Sequence, residues 1–379
     1  MRRLFYITRS YYPDKSGGAI VRQGAVKCLS EYFDVYVVTI GEQECFDAEN
    51  KIYRFPYGYN TRVMFAFERV GLLEDYLKPW INNVYKKLVE IVDKNDIVFS
   101  TSGGELACII IGALLKKNIG VKFVVNYHDP LIYSRVNGIK IDAKFHVSRE
   151  LSEMKYLSIA DLIITSCETN KKSLTEKYPQ LKRKIVNNYF GYIEEFNLKN
   201  KVYTNKLRFA YGGRFGKLQS PEIFAKAFAN YSNTDIELFF VGNYKDYQPI
   251  KQYVDKFVFI EQLPYEEYLD FLLHNVDVGL LSLSSTYLGA CIPSKLYEYI
   301  NLGLPMLGAL PDGDAKNIIN NKKYGIACSY NSIEEIRKAI DCFMDSKYLF
   351  SFRNAVLQDR NKWRMSYLSL ELVDFLNNL

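Results

Sequence analysis

The sequence is poor in the residues that build metal sites and disulfide frameworks. Three histidines stand in 379 residues (His128, His146 and His274), and seven cysteines are scattered with no C-x-x-C pair. An odd count without ligand spacing argues against a zinc site or a disulfide scaffold and fits a reducing cytoplasm. Long apolar runs are also lacking. Stretches such as 121–125, which includes Lys122, and 278–281 are strand-length, whereas a membrane span needs about 20 residues. The apolar run 4–8 after Met1-Arg2-Arg3 is shorter than the roughly 7–15 residues of a secretory core, so no signal peptide is expected. The 22 Gly and 11 Pro follow no period, which excludes a collagen-like chain. No G-x-G-x-x-G occurs, which weighs against a nicotinamide enzyme. Asp312-Gly313-Asp314 reads as a turn and helix cap rather than a metal-binding pair at a strand end.

Apolar side chains are plentiful: 48% of residues are hydrophobic and 15% aromatic, with 31 Tyr and 24 Phe. Together with a net charge of only +6, that excludes a disordered chain. The length suits two or three domains. The charge is uneven. Residues 1–200 hold 29 Lys+Arg against 23 Asp+Glu, while residues 201–379 hold 20 of each. An anionic partner or membrane surface met by the first half alone would explain such a split, as would random drift. Nucleic acid is disfavoured, because there is no basic block and no binding motif.

In the first half, strand-like runs (4–8, 35–39, 97–100, 122–127, 162–166, 184–189) alternate with helical stretches (20–32, 80–92, 106–117, 168–178). The stretch 57–79 is less regular and mixes aromatic with basic residues. A polar stretch at 194–204 is the candidate linker. The cycle then restarts with strands at 207–211, 237–241, 257–260, 276–283 and 306–310. Ser220-Pro221-Glu222 and Ser332-x-x-Glu335 look like helix starts, and a long amphipathic stretch, 354–376, closes the chain. Strands alternating with helices imply two doubly wound α/β sheets, whose ligands lie beyond the carboxyl ends of the strands.

Four constellations could carry chemistry. Gly17-Gly18 follows the first strand and precedes a helix, where backbone N–H groups can approach an anion. His128-Asp129 ends a strand. Gly212-Gly213-Arg214-Phe215-Gly216-Lys217 ends the first strand of the second half and offers close backbone approach and two cations to a diphosphate; a solvated surface turn is the plainer alternative. Pro293-Ser294-Lys295-Leu296-Tyr297-Glu298 puts Lys295 and Glu298 on one helix face near its start. There the backbone can face phosphate and the carboxylate can accept two hydroxyls. A capping and salt-bridge arrangement would use the same residues.

Taken in order, these motifs resemble those of GT-B-fold glycosyltransferases, in particular glycosyltransferase family 4 (group 1). The resemblance spans nearly the whole chain, through Gly17-Gly18, His128-Asp129, the 160–166 segment, Tyr189-Phe190-Gly191-Tyr192, Gly213-Arg214-Phe215-Gly216-Lys217 and Pro-Ser-Lys-x-x-Glu-Tyr. It implies an α/β chain of two Rossmann-like doubly wound domains facing a central cleft. On that reading residues 1–198 bind the acceptor and 199–355 the nucleotide sugar, and a helix in 356–379, with Trp363, crosses back to the first domain. It implies that Arg214 and Lys217 neutralise the diphosphate, that Glu298 holds the ribose, and that His128, beside Asp129, meets the donor sugar near the reacting carbon. Gly17 and Gly18 would lie against the donor, with Gly213, Pro293, Ser294, Lys295 and Leu296 also donor-binding. Ala290 stands where the family signature has its first acid, and the Arg214–Lys217 gap is shorter than usual.

The expected reaction is metal-independent sugar transfer without a cofactor, from a nucleotide-diphosphate donor to a glycan or lipid-linked acceptor. The leaving group would be stabilised by fixed cations and helix N-termini. Retention of configuration is implied by the resemblance alone, and the composition fits bacterial capsule or lipopolysaccharide synthesis. A cytoplasmic protein, peripheral at the inner face of the plasma membrane, is expected. Two alternatives stay open: a UDP-N-acetylglucosamine 2-epimerase-like enzyme and a non-catalytic pseudo-glycosyltransferase.

Overall fold

The first strand, β1 (Arg3–Ile7), alternates its side chains between two cores. Phe5 and Ile7 enter a core shared with Trp80, Ile81, Val84 and the 107–119 helix. Leu4 and Tyr6 enter a second core with Val26, Leu29, Leu372, Val373 and Leu376. A strand buried on both faces belongs at the centre of a parallel sheet. The computed structural model describes residues 1–131, 151–198, 206–229, 231 and 235–379. They form two units, Met1–Ile193 with Met365–Leu379, and Glu194–Arg364.

The first unit holds β1, β2 (Asp34–Gly41), β3 (Cys45–Asp47), β4 (Ile52–Pro56), β5 (Ile97–Gly103), β6 (Lys122–Asp129), β7 (Leu162–Thr165) and β8 (Ile185–Asn187). Their order is β3-β4-β2-β1-β5-β6-β7-β8, parallel throughout except for β3 against β4. The β3–β4 edge has no counterpart in the sequence reading. The β5–β6 register pairs Ser102 with Tyr127 but Gly103 with Asp129, so His128 is the extra residue at the strand's end. Such bulges re-aim a side chain. The helix Gly17–Leu29 starts three residues earlier than its apolar pattern suggests, so the paired glycines form its first turn. The irregular 57–79 stretch contains the helix Thr61–Arg69.

The second unit holds β9 (Leu207–Gly212), β10 (Ile236–Val241), β11 (Val258–Ile260), β12 (Val278–Ser282), β13 (Met306–Leu310) and β14 (Gly325–Ser329). They run parallel in the order β11-β10-β9-β12-β13-β14. Sequence order reverses at β9, and ligands in such sheets bind beside the carboxyl ends near that point. Arg208, at the start of β9, is buried against Asp277, with Nε 3.2 Å from Oδ2.

Three local expectations change. Ser220 takes φ +42°, and Pro221 occupies the cap of helix Glu222–Phe228. Ser332 caps its helix by accepting from Glu335 N, but Glu335 accepts from Ser329 N instead of closing a full capping box. The amphipathic stretch 354–376 is two helices, Ser346–Asp359 and Met365–Asn377, with a 3-10 turn at Arg360–Trp363 between them. Trp363 lies in that turn, not on the closing helix. It stays in the second unit, donating Nε1 to the Tyr324 hydroxyl at 2.9 Å.

Of the candidate linker, residues 194–198 are described, while 199–204 lie outside the described residues. The Asn301 amide ties the described part to the second unit. Its Nδ2 donates to Glu194 O, and its Oδ1 accepts from Phe196 N.

Candidate functional sites

In the second unit the loop after β9 and the helix Ser294–Asn301 come together. Gly213 has φ +105°, a backbone state open chiefly to glycine. A Cβ there would lie 2.7 Å from the Lys295 ammonium. Lys295 therefore rests on the bare backbone of Gly213, with its Nζ 5.1 Å from the Tyr211 ring centroid. The Tyr211 hydroxyl donates to Arg214 O at 2.7 Å and fixes the turn. Arg214 and Lys217 are exposed, whereas Lys295 is partly buried. Burial pulls the Lys295 pKa below the ordinary lysine value, and Glu298 opposes that shift. Burial raises the Glu298 pKa, and Lys295 opposes that. The two charges thus support one another on one helix face, three residues apart.

The start of this helix carries no side-chain cap. Pro293 holds the N-cap position with ψ 133°, and Ser294 is exposed at the first helical position. The N–H groups of its first turn give the helix start a partial positive charge. Leu296 is buried and anchors the turn. Ala290 ends a 3-10 turn, Thr286–Ala290.

In the first unit, Gly17 and Gly18 follow β1 and His128 stands near the end of β6; Arg22 lies against Gly18, and its charge acts on His128. Ser16 caps the helix through Ala19 N at 3.4 Å, and its own N–H donates to Asp14. Gly17 has open space where a side chain would stand. His128 is 9% exposed, its Nε2 has no hydrogen-bond partner, and its ring centroid lies 4.4 Å from that of Phe190. Its backbone carbonyl accepts from Ser166 Oγ at 2.8 Å. Burial first, then the nearby Arg22 charge, holds its pKa well below the usual histidine value, so the ring is neutral. Asp129, the last residue of β6, is partly buried.

Sequence reading missed Arg22, Glu105 and the Lys295–Gly213 contact. Arg22 lies one turn after Gly18 on the same helix face, a spacing visible in the sequence. Glu105 follows two glycines at the end of β5. Its Oε1 accepts from Gly103 N at 3.2 Å, and its Oε2 lies 3.8 Å from the Arg9 guanidinium.

The profile of the family "Glycosyl transferases group 1" matches residues 193–363, nearly the whole second unit. The probable glycosyltransferase WbjE of Pseudomonas aeruginosa is 24% identical over 350 residues, covering 87% of this chain and 82% of that protein. Among solved structures, HepE of Anabaena in complex with UDP and glucose superposes with a TM-score of 0.72 at 13% identity, over 100% of both chains. The lipopolysaccharide outer core galactosyltransferase WaaB, in its apo form, gives 0.70 at 12% identity, again over 100% of both.

Proposed function

We propose that this chain, which has the GT-B fold and whose second unit matches the group 1 glycosyl transferases, transfers a sugar from a nucleoside-diphosphate donor to a glycan or lipid-linked acceptor in surface polysaccharide synthesis. The observation that carries this reading is the Lys295 ammonium lying on the Gly213 backbone beside an uncapped helix start, with Glu298 one turn in. Lys295, Arg214, Lys217 and the amides at Ser294 offer positive potential to a diphosphate, with Pro293 and Leu296 shaping the turn. Glu298 offers a carboxylate to ribose hydroxyls. HepE is described with UDP and with UDP-glucose, which favours a uridine donor here. WaaB is described as a lipopolysaccharide galactosyltransferase, which favours a cell-surface glycan as acceptor.

In this reading the first unit supplies the acceptor side and the reacting geometry. Neutral His128 donates or accepts one hydrogen bond near the reacting carbon, and Asp129 lies beside it. Gly17 and Gly18 let the donor approach the backbone. The leaving diphosphate is stabilised by fixed cations and helix amides, so no metal or cofactor is assigned a step; retention of configuration is what the family resemblance implies.

We place the enzyme at an anionic membrane face. The helix Thr61–Arg69 buries Met64 and Glu68 but exposes Val63 and Phe67, continuing to Val70 and Leu72, which are 70% and 71% exposed. Arg62 and Arg69 flank that apolar face. Apolar patches rimmed with basic residues suit an anionic bilayer surface. Among the described residues no helix is long and apolar enough to cross a membrane.

Thermal unfolding with UDP, GDP, ADP and their sugars tests the donor assignment. A ligand at 100 times its Kd stabilises by about 2.7 kcal/mol. A shift with one nucleotide family supports the reading, and no shift with any of them defeats it.

A further inference from the structure

The helix Ser294–Asn301, which carries Lys295 and Glu298 near its start, is held from its other end. Eight residues are too few for a helix to be stable by itself, so its direction comes from what it is fixed to. Its last four carbonyls need partners. Leu302 N donates to Glu298 O, Leu304 N to Tyr299 O and Gly303 N to Ile300 O, at 2.9–3.1 Å. The fourth, Asn301 O, accepts from Arg360 Nε at 2.6 Å. A cation at that end is also favoured by the helix dipole.

Arg360 does more than cap the helix. The chain passes between the two units twice, after Ile193 and after Arg364. Arg360 stands just before the second crossing, and its fork also holds the segment just after the first. Nη1 donates to Glu195 Oε1 at 3.0 Å, while Nη2 donates to Phe196 O and, at 3.0 Å, to Asn301 Oδ1. Asn301 is 5% exposed and closes the knot through Glu194 O and Phe196 N. Arg364 brings a second cation to within 3.4 Å of the other Glu195 oxygen. The Trp363 ring lies 5.9 Å from that of Tyr297, on the helix itself. A planar fork that meets several fixed acceptors at once has no equivalent in a single ammonium.

We propose that Arg360 is a positioning residue for the nucleotide site. It joins the end of the helix Ser294–Asn301 to both crossings as one body, so that a displacement at either crossing is passed along the helix to Lys295 and Glu298. A helix of this length is a lever of about 12 Å, and coupling travels through such packed elements. That the helix start binds a nucleotide rests on the reading above; the coupling of its far end to the crossings does not.

Hydrogen exchange of the ligand-free protein tests the coupling. Arg360→Met keeps an apolar stem and loses the fork. The amides of Phe196, residues 302–304 and Arg364, all hydrogen-bonded in the wild type, should exchange at least tenfold faster together. They should gain by a larger factor than the amides of β9 and β10. No rise, a rise confined to one of the three segments, or an equal factor throughout the unit overturns the proposal. Calorimetry with UDP tests the positioning role. The folded variant should bind UDP about tenfold more weakly, although Arg360 stands at the opposite end of the helix from Lys295; unchanged affinity overturns that role. Should Arg360→Met not fold, Arg360→Lys keeps the charge without the fork. It should show the same joint rise in exchange and bind UDP at least threefold more weakly, and wild-type behaviour in both overturns the proposal. A wild type that binds none of UDP, GDP and ADP defeats the donor reading instead, and the exchange pattern then decides the coupling by itself.

Discussion

The two units present their charged groups in opposite ways. At the strand ends of the first, Arg22, Glu105 and His128 are buried among glycines. At the strand ends of the second, Arg214 and Lys217 are exposed and Lys295 is partly covered. A buried group exerts its full field but tolerates little change, whereas an exposed one is screened. In the proposed function the first unit is accordingly the preorganised reaction site, and the second the docking site for a large, charged ligand. The contrast extends to composition, since the whole positive excess lies in residues 1–200.

The largest effect should come from the buried side. His128→Ala should lower kcat by about a hundredfold or more with little change in nucleotide affinity, as expected for a group that acts mainly in the transition state. A folded variant with wild-type turnover would make His128 structural and dissolve the contrast. Next comes Lys295→Met, which should weaken nucleoside diphosphate binding about ten- to a hundredfold, because a charge-assisted hydrogen bond is worth about 1.5–3 kcal/mol. Arg214→Ala and Lys217→Ala, at exposed positions, should each cost less. Calorimetry that ranks either above Lys295 would reverse the order within the second unit.

The burial of His128 also has a pH signature. Its folded pKa lies well below the unfolded value near 6.5, so on acidification the unfolded chain takes up the proton first. Stability is thus full above about pH 6.5 and falls by about 1.4 kcal/mol per pH unit below it, until the folded pKa is reached. Urea midpoints between pH 7 and 5 should show this slope in the wild type and a shallower one in His128→Gln. Equal slopes would mean the ring is protonated in the folded state. The smallest effect is at the surface. Binding to anionic vesicles should fall as salt rises, with about 1 kcal/mol lost per basic residue screened, and Phe67→Ser should weaken it further. Equal binding to neutral vesicles would remove the electrostatic half of the contrast.

Much of this was legible in the sequence. Buried parallel strands announce themselves as β-branched runs, so the doubly wound units and most strands could be read directly. The Pro293–Glu298 segment was legible because a helix start has local rules. What escaped depended on distance in the chain. The β3–β4 edge carries weak, partly exposed patterns. The Lys295–Gly213 contact joins residues 82 positions apart, and no spacing rule connects them. Arg22 was hidden for another reason: within an amphipathic helix an arginine is taken for a solvated face, and only three-dimensional packing reveals its burial. Trp363 was assigned to the closing helix because amphipathic periodicity runs straight through the 3-10 turn that separates them.

The central claim is that the second unit holds a nucleotide by its ribose and diphosphate. Its most direct test is a double comparison by calorimetry: wild type and Glu298→Ala, each with UDP and with the 2′,3′-dideoxy analogue. Glu298→Ala should weaken UDP binding by roughly ten- to a hundredfold. It should weaken binding of the analogue far less, because the hydroxyls it would serve are gone. Losses that simply add would show that the Glu298 carboxylate does not touch the ribose, and would contradict the account at its most specific residue.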